Sequence, residues 1–580
     1  MSFQEYRKML GQYLLPHRGK VLLLFLVILM GSGLQLVNPQ ILRFFIDTAT
    51  SGSGQVNSLI NAALLFIGVA ILTQGLTVLV TYLGDTLAWT VSNTMRGDLF
   101  AHSMRLDLKF HNNHTPGRMI ERIDGDVNVL SNFFSQFGVR IVSNFLMLLG
   151  MLVFLTYTNW GIGLTFIAFT GVVMFMLGKI RFFATPFWTE SRETSAKLFG
   201  FLEERLSGVE EVRANGAVAY VMRRLHELNR LRLHKDRRAF LAAGVTWSTT
   251  IGMFSLGTAL SLALGAMLYA NGTLSLGTVY LIYAYVNMLR APIEQISQQL
   301  QDLQKASASI RRTSELLGTK SALVERSGRS IADGALQVDL DNVSFGYSEE
   351  ERVLHNVTLT LAPGKVLGVL GRTGSGKSTM ARLLMRFYDV NEGGVRLNGV
   401  DVRDASLSEV RKRVVMVTQD VQLFSGTIRD NLTFFDPAIT DERILQAFTE
   451  LELLEWYQAL PEGLDTRLGP SGGGFSAGEG QLLAFARVFL ADPALVILDE
   501  ASSRLDPATE QLLTRTVSKL MENRTGIIIA HRLATLQQVD DILILEDGRI
   551  VQHGEREVLA HDPESRFYQL LRQGMEGVLV

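Results

Sequence analysis

The feature that most limits what this chain can fold into is a series of apolar stretches in its first half, at about 20–46, 58–85, 134–157, 160–182, 240–270 and 275–300. A helix needs roughly 20 residues to cross the hydrocarbon of a bilayer, and each stretch is long enough. One alone could be a long buried helix of a soluble protein. Six in succession point to a membrane domain, and composition agrees. Charged residues make up 19% of the 580-residue chain and hydrophobic ones 47%, whereas soluble chains carry about 25% charge.

Basic residues orient the spans. The intervals DTATSGSGQVNS, TYTNWG and YANGTLS contain no Lys or Arg. The opposite side has Arg7, Lys8, Arg18 and Lys20, then Arg96, Arg105, Lys109, Arg118 and Arg122, then a basic interval from Lys179 to Arg238. The positive-inside rule places that side, with both termini, in the cytoplasm. The expectation is a multi-pass protein of the cell (inner) membrane. Residues 1–20 read as a short amphipathic segment on the inner surface, because the apolar run after them is too long for a cleavable signal.

Two cytoplasmic intervals are too long to be turns, with about 50 residues between the second and third spans and nearly 60 between the fourth and fifth. Helices running past the bilayer satisfy this, with turns near HNNHTPGR (111–118) and EVRANGAV (211–218) furthest from it. The membrane domain is expected over 1–316. A polar, glycine-bearing linker follows at 317–335, and a second domain at 336–580. The chain has no cysteine, which excludes disulfides, thiolate metal sites and cysteine nucleophiles. A net charge of −2 gives no reason to expect a nucleic-acid partner.

In the second half the apolar strand VLGVL runs directly into GRTGSGKST. Gly371 to Ser378 is a G-x-x-x-x-G-K-S pattern in a strand–loop–helix setting. Backbone N–H groups of Gly371, Arg372, Thr373, Gly374, Ser375, Gly376, Lys377, Ser378 and Thr379 would wrap a nucleoside triphosphate. Lys377 would bridge its β- and γ-phosphates, and the Ser378 hydroxyl would bind Mg2+. Downstream, ALVILDE (494–500) is an apolar strand ending in two acids, as a central parallel strand should be. Asp499 can hold Mg2+ through water, and Glu500 can polarise the water that attacks the γ-phosphate. Without a P-loop in the same domain, the pair would read as a strand-end helix cap.

The order Tyr347, GRTGSGKS, VTQD with Gln419, a glycine-rich signature before a helix, ILDEASSRLD and IIIAHR with His531 resembles the nucleotide-binding domain of an ATP-binding-cassette (ABC) transporter. The six spans resemble the exporter-type transmembrane domain of that superfamily, and LFSGTIRDNL (423–432), NNHTPGR and ERLSGVEEVRANG share the likeness. The resemblance implies an all-α six-helix membrane domain followed by an α/β P-loop ATPase. It implies that Tyr347 stacks on adenine, that Gln419 senses Mg2+ and the attacking water, and that His531 bonds the γ-phosphate and holds Glu500. Asp506 would reach across a dimer interface. ATP with Mg2+ would lie between one domain's P-loop and another's signature. Closure on ATP and reset by hydrolysis would then give alternating access. Export of an amphiphilic or lipid-like substrate is the expected output.

The signature departs from the family's Leu-Ser-Gly-Gly-Gln and reads Phe475-Ser476-Ala477-Gly478-Glu479. Ser476 and Gly478, which would meet the γ-phosphate, are retained. Ala477 adds a methyl, and Glu479 exchanges an amide for a charge. Two like charges 4 Å apart repel by about 4 kcal/mol at an effective dielectric of 20, so closure on ATP should weaken there. Pro470 stands where such exporters carry a glutamate facing the cytoplasmic turns. Lys377, Asp499, Glu500, Gln419 and His531 are all intact. By resemblance, that combination fits half of a heterodimer whose homologous partner has an intact Ser-Gly-Gly-Gln and a substituted glutamate. The alternatives are a homodimeric exporter or lipid flippase, an importer of exporter fold, and an ATP-gated regulatory subunit. Charged residues within the spans (Arg43, Asp47, Asp85, Arg140, Arg290, Glu294) lie mostly near span ends, and none stands out as a substrate ligand.

Overall fold

A computed structural model of the protein describes residues 11–51, 56–133, 135, 138–324, 328–348, 351–469, 473–499, 507–530 and 533–572. The chain divides into two compact units. One is Met1–Met104 with Pro116–Thr319, the other Arg105–Thr115 with Lys320–Val580.

The first unit is helical: α1 (Arg18–Thr50), α2 (Val56–Arg105), α3 (Gly138–Thr158), α4 (Trp160–Ser207), α5 (Val218–Ala270), α6 (Leu276–Met288) and α7 (Arg290–Gly318). Helices α2, α4 and α5 have 50, 48 and 53 residues. At 1.5 Å per residue they are roughly 70–80 Å long, more than twice a hydrocarbon core. Among the described residues, five helices are long and apolar enough to cross a membrane. The sixth apolar segment is interrupted between Met288 and Arg290. Pro292 has no N–H to return to the Met288 carbonyl, so the ladder breaks there. The chain stays helical on either side, with Leu289 N–H on Tyr285 O at 3.0 Å and Ile293 N–H on Leu289 O at 3.2 Å.

Met151, Leu155, Phe166, Val173, Leu281 and Tyr285 form the core of this unit. The Tyr285 hydroxyl donates to the Leu36 carbonyl and accepts from Gln40 Nε2, both at 2.9 Å. These contacts flank Pro39, where α1 lacks a backbone donor and its ladder is loosened. Helix α2 is the opposite case. Its apolar window is 6% buried, and Ile60, Leu64, Ile71 and Val78 are exposed. That much apolar surface needs lipid or another chain to cover it. Near the other end of the unit, buried Asp126 accepts from the Ser309 hydroxyl at 2.9 Å and Arg312 Nε at 2.8 Å, which ties α7 to the short helix Asp126–Asn132.

The strands of the second unit are β1 (Val338–Phe345), β2 (Leu354–Leu361), β3 (Val366–Leu370), β4 (Glu392–Leu397), β5 (Val400–Asp401), β6 (Val414–Val417), β7 (Gly426–Thr427), β8 (Arg467–Leu468), β9 (Leu495–Asp499), β10 (Thr525–Ile529), β11 (Asp541–Glu546) and β12 (Arg549–Glu555). An antiparallel sheet runs β2-β1-β4-β5. A six-stranded sheet runs β12-β11-β3-β10-β9-β6 and is parallel except for β12. Strands β3 and β10 are buried throughout, as strands covered on both faces must be.

Arg105–Thr115 is built into this unit. Asp107 caps the short helix Leu108–Asn112 by accepting from Phe110 N–H at 2.8 Å. It also accepts from Ser321 Oγ at 3.2 Å and from Ala322 N–H. Leu108 packs against the apolar cluster under β1 and β3.

Candidate nucleotide site

The site forms where the parallel strands end, the usual place for a ligand in an open α/β sheet. Asp499 pairs in register with Ile529, and Ile529 with Val369, so the tips of β9, β10 and β3 lie level. From β3 the chain enters Gly371–Gly376, and α8 (Lys377–Leu384) begins at the lysine. Two glycines are dictated by geometry. Gly376 has φ +103°, and a Cβ on Gly371 (φ +153°) would lie 2.2 Å from the Leu545 carbonyl oxygen.

The loop is poised for an anion. Lys377 Nζ folds back to donate to the carbonyls of Gly371 at 2.6 Å and Arg372 at 3.1 Å. Burial pushes the Lys377 ammonium pKa down, and the Asp499 carboxylate pulls against that shift. The first helical bond from the loop is Met380 N–H to Gly376 O at 2.9 Å. The N–H groups of the first turn of α8 therefore remain for a ligand, at the positive end of the helix. The Ser375 hydroxyl is buried with no hydrogen-bond partner among the described residues.

Tyr347 stands beside this loop, half-buried. Its hydroxyl shares a hydrogen bond with Thr379 Oγ1 and accepts one from Arg382 Nη1, both at 3.0 Å. Its ring meets Phe345 and Tyr388 edge-on at 5.1 and 5.2 Å. Gln419 is exposed in the loop after β6. The structure thus gathers Lys377, the loop backbone and Asp499 at the tips of the central strands, with Tyr347 next to α8. Glu500, Asp506 and His531 lie outside the described residues, as does Pro470.

Two further helices complete the second unit's working parts, α9 (Ile428–Thr433) and α10 (Ala477–Ala491). Ser476 caps α10, and Glu479 completes a reciprocal capping box with it. Phe475 is held edge-on by Trp456 at 6.0 Å. Sequence reasoning misses Arg487. Its guanidinium bonds to the Asn431 carbonyl, to Asn431 Oδ1 at 2.9 Å and to the Gln422 carbonyl at 3.0 Å, and lies 4.8 Å from the Phe434 ring centre. Burial lowers its pKa to about 10. It lines a groove of about 740 Å³ with Phe424, Phe434, Gln422 and Val417. The one signal in the sequence is a lone arginine in the apolar run LLAFARVFLA.

The first unit holds a smaller cavity, about 220 Å³, lined by Ile251, Phe254, Ser255, Thr258, Val286, Asn287 and Arg290. Arg290 Nε pairs with Glu294 at 2.9 Å, and its guanidinium lies 5.9 Å from the Phe254 ring centre. Arg181 Nη2 reaches the Glu294 carbonyl at 3.4 Å.

Comparison with known proteins agrees with this arrangement. Residues 21–293 match the family described as ABC transporter transmembrane region, and 354–503 that described as ABC transporter. An uncharacterized ABC transporter ATP-binding protein of Bacillus subtilis, YknV, is 30% identical over 553 residues, 94% of this chain and 91% of that protein. A fatty acid ABC transporter ATP-binding/permease protein of Mycobacterium tuberculosis is 30% identical over 487 residues, 83% of this chain and 77% of its own length. The solved structure of a bacterial Atm1-family ABC exporter with ATP bound shares the fold, with TM-score 0.80 and 24% identity, covering 96% of this chain and 98% of that one. The chain therefore belongs to the ABC transporter family as an exporter-type half-transporter, a membrane protein whose ATP hydrolysis is coupled to transport.

Proposed function

We propose that the protein moves an amphiphilic or lipid-like compound outward across the cell's inner membrane, with 1–316 as translocation domain, 317–335 as linker and 336–580 as a cytoplasmic ATPase. The observation that carries the ATPase assignment is Lys377 folded over the loop carbonyls beside Asp499. On ATP binding, Lys377 transfers its donors from those carbonyls to phosphate oxygens, and the loop N–H groups hold the rest of the charge. Tyr347 offers a ring for adenine, and Glu500 orients the attacking water, supported by Gln419 and His531. Ser378, Asp499 and Gln419 present only oxygen ligands, the hard donors that Mg2+ takes, and the buried, unpartnered Ser375 hydroxyl marks a cradle built for polar contacts. Mg2+ supplies charge neutralisation on the phosphates when bound.

Support for the substrate class comes from the α5–α6 cavity, apolar on the side of Ile251 and Val286 and polar at Asn287, Thr258 and Arg290. The naming of a relative as a fatty acid transporter supports it too. The departing signature, next to intact hydrolytic residues, supports a heterodimer with an unlike homologous subunit. Reconstituted protein should hydrolyse Mg-ATP in a vanadate-sensitive way, and Glu500→Gln should abolish it. Full, symmetric activity from this chain alone would remove the heterodimer.

A further inference from the structure

Glu479 engages the donors through which the signature would hold a phosphate. Ser476 N–H donates to Glu479 Oε2 at 2.8 Å, and the Ser476 hydroxyl donates to the same oxygen at 2.9 Å. Glu479 N–H lies 3.3 Å from Ser476 Oγ, closing the box. Ser476 is exposed and Glu479 half-buried, and among the described residues no lysine or arginine pairs with Glu479. A carboxylate accepting two donors forms charge-assisted bonds, roughly twice as strong as neutral ones. The helix dipole favours an anion in that first turn.

We propose that Glu479 is an internal competitor for the γ-phosphate of a partner subunit's ATP, a positioning residue that weakens closure at the one composite site containing this signature. This rests on the reading above, in which Ser476 faces ATP across a dimer. A phosphate oxygen asks for the same hydroxyl and N–H that the carboxylate holds. To yield them the carboxylate must turn away, and it stays close to the incoming phosphate with no lysine or arginine among the described residues paired to it. A glutamine in its place still offers an acceptor to Ser476 N–H, so the helix remains capped, but it binds the hydroxyl without charge and repels no phosphate. Asymmetry between two ATP sites is then written into four residues of one chain, Ser476 to Glu479.

An ordinary helix cap has the same hydrogen bonds, so the test separates the two roles by the dependence of one residue on the other. Full-length protein is reconstituted in lipid nanodiscs in the dimer in which it purifies. Closure of the nucleotide-binding domains on Mg-ATP is read from spin-label distances on introduced cysteines, the chain having none of its own. Glu479→Gln should lower the ATP concentration for half-maximal closure about tenfold, equivalent to ~1.4 kcal/mol. Ser476→Ala should change it less than about twofold in the wild-type background, where the hydroxyl is already engaged, yet cancel the gain in the Glu479→Gln background. Equal effects of Ser476→Ala in both backgrounds, or a Glu479→Gln protein that melts earlier but closes as the wild type does, would overturn the proposal. A wild type that neither closes nor hydrolyses ATP overturns the functional reading beneath it, a distinguishable result.

Discussion

Asn112 donates its side-chain amide to the Tyr388 hydroxyl at 2.8 Å, and the Tyr388 ring stands edge-on to Tyr347 at 5.2 Å. The tip of the turn at 111–118 is thus one aromatic ring removed from the residue read as the adenine platform. Tyr388→Phe keeps the ring and removes the acceptor, a loss of about 1 kcal/mol. ATP affinity should stay within about twofold, while substrate moved per ATP falls several-fold, measured as vesicle uptake against phosphate release. Asn112→Ala should do the same, and the double variant should be no worse than either single one. A weakening of ATP binding equal to the loss of transport would instead place Tyr388 in the nucleotide pocket alone.

Lys377→Ala should cost at least about 100-fold in ATP turnover, the scale for removing one preorganised donor from developing phosphate charge. Asp499→Asn tests the electrostatics behind it. Burial already lowers the Lys377 pKa, and Asp499 opposes this. Without that carboxylate the ammonium deprotonates at lower pH, so the alkaline limb of ATP binding should shift downward. Nucleotide titrations across the alkaline range read this directly.

How much of this is visible in sequence depends on whether partners are neighbours along the chain. The P-loop is legible because strand, glycines and lysine are contiguous, and the six spans because length and hydropathy are local properties. The break after Met288 is local too, since Pro292 dictates it, yet an apolar window averages over a single missing donor. Asp107 and Asp126 are opaque because their partners lie 215 and 183 residues away, at Ala322 and Ser309. Glu479 is the instructive case. The spacing Ser-Ala-Gly-Glu is that of a capping box, but a reading centred on phosphate sees a bare charge. Only the folded geometry shows the carboxylate turned back onto Ser476.

Asp107 should make the second unit sensitive to acid. Burial alone raises its pKa, but bonds from Ala322 N–H, Phe110 N–H and the Ser321 hydroxyl outweigh this and leave it below the ordinary value. A carboxyl whose folded pKa is depressed contributes stability above its unfolded pKa of 3.8 and loses it as pH falls through the folded value. Asp107→Asn keeps a capping oxygen but removes the charge, so it should lower stability at pH 7 by about 1 kcal/mol, the margin of hydrogen bonds to a charged acceptor over a neutral one. Its stability should converge with the wild type only once the pH falls below the depressed folded pKa of Asp107, where both side chains are neutral. Parallel curves down to the lowest pH would mean that the charge of Asp107 is immaterial.

Arg290 offers the sharpest test of the substrate reading. It opens α7 directly after the apolar helix α6, and an ionised side chain within an apolar bundle is costly without a purpose. Its guanidinium faces the cavity of Asn287 and Thr258 while Glu294 holds its Nε at 2.9 Å and Arg181 approaches the same residue's carbonyl. With Arg290 on the Glu294 carboxylate and Arg181 on its main-chain carbonyl, two guanidinium groups face one carboxylate charge, which suits an anionic headgroup better than a neutral one. Arg290→Ala alone should destabilise the protein, because Glu294 loses its partner. Arg290→Ala with Glu294→Gln removes both charges and should recover stability. If the cavity takes an anionic head, that double variant should keep its basal ATPase activity and lose about tenfold in transport of a fluorescent fatty acid, with an uncharged amphiphile little affected. Equal transport of both probes by the double variant would leave Arg290 and Glu294 as packing charges and move the search for substrate contacts elsewhere in the bundle.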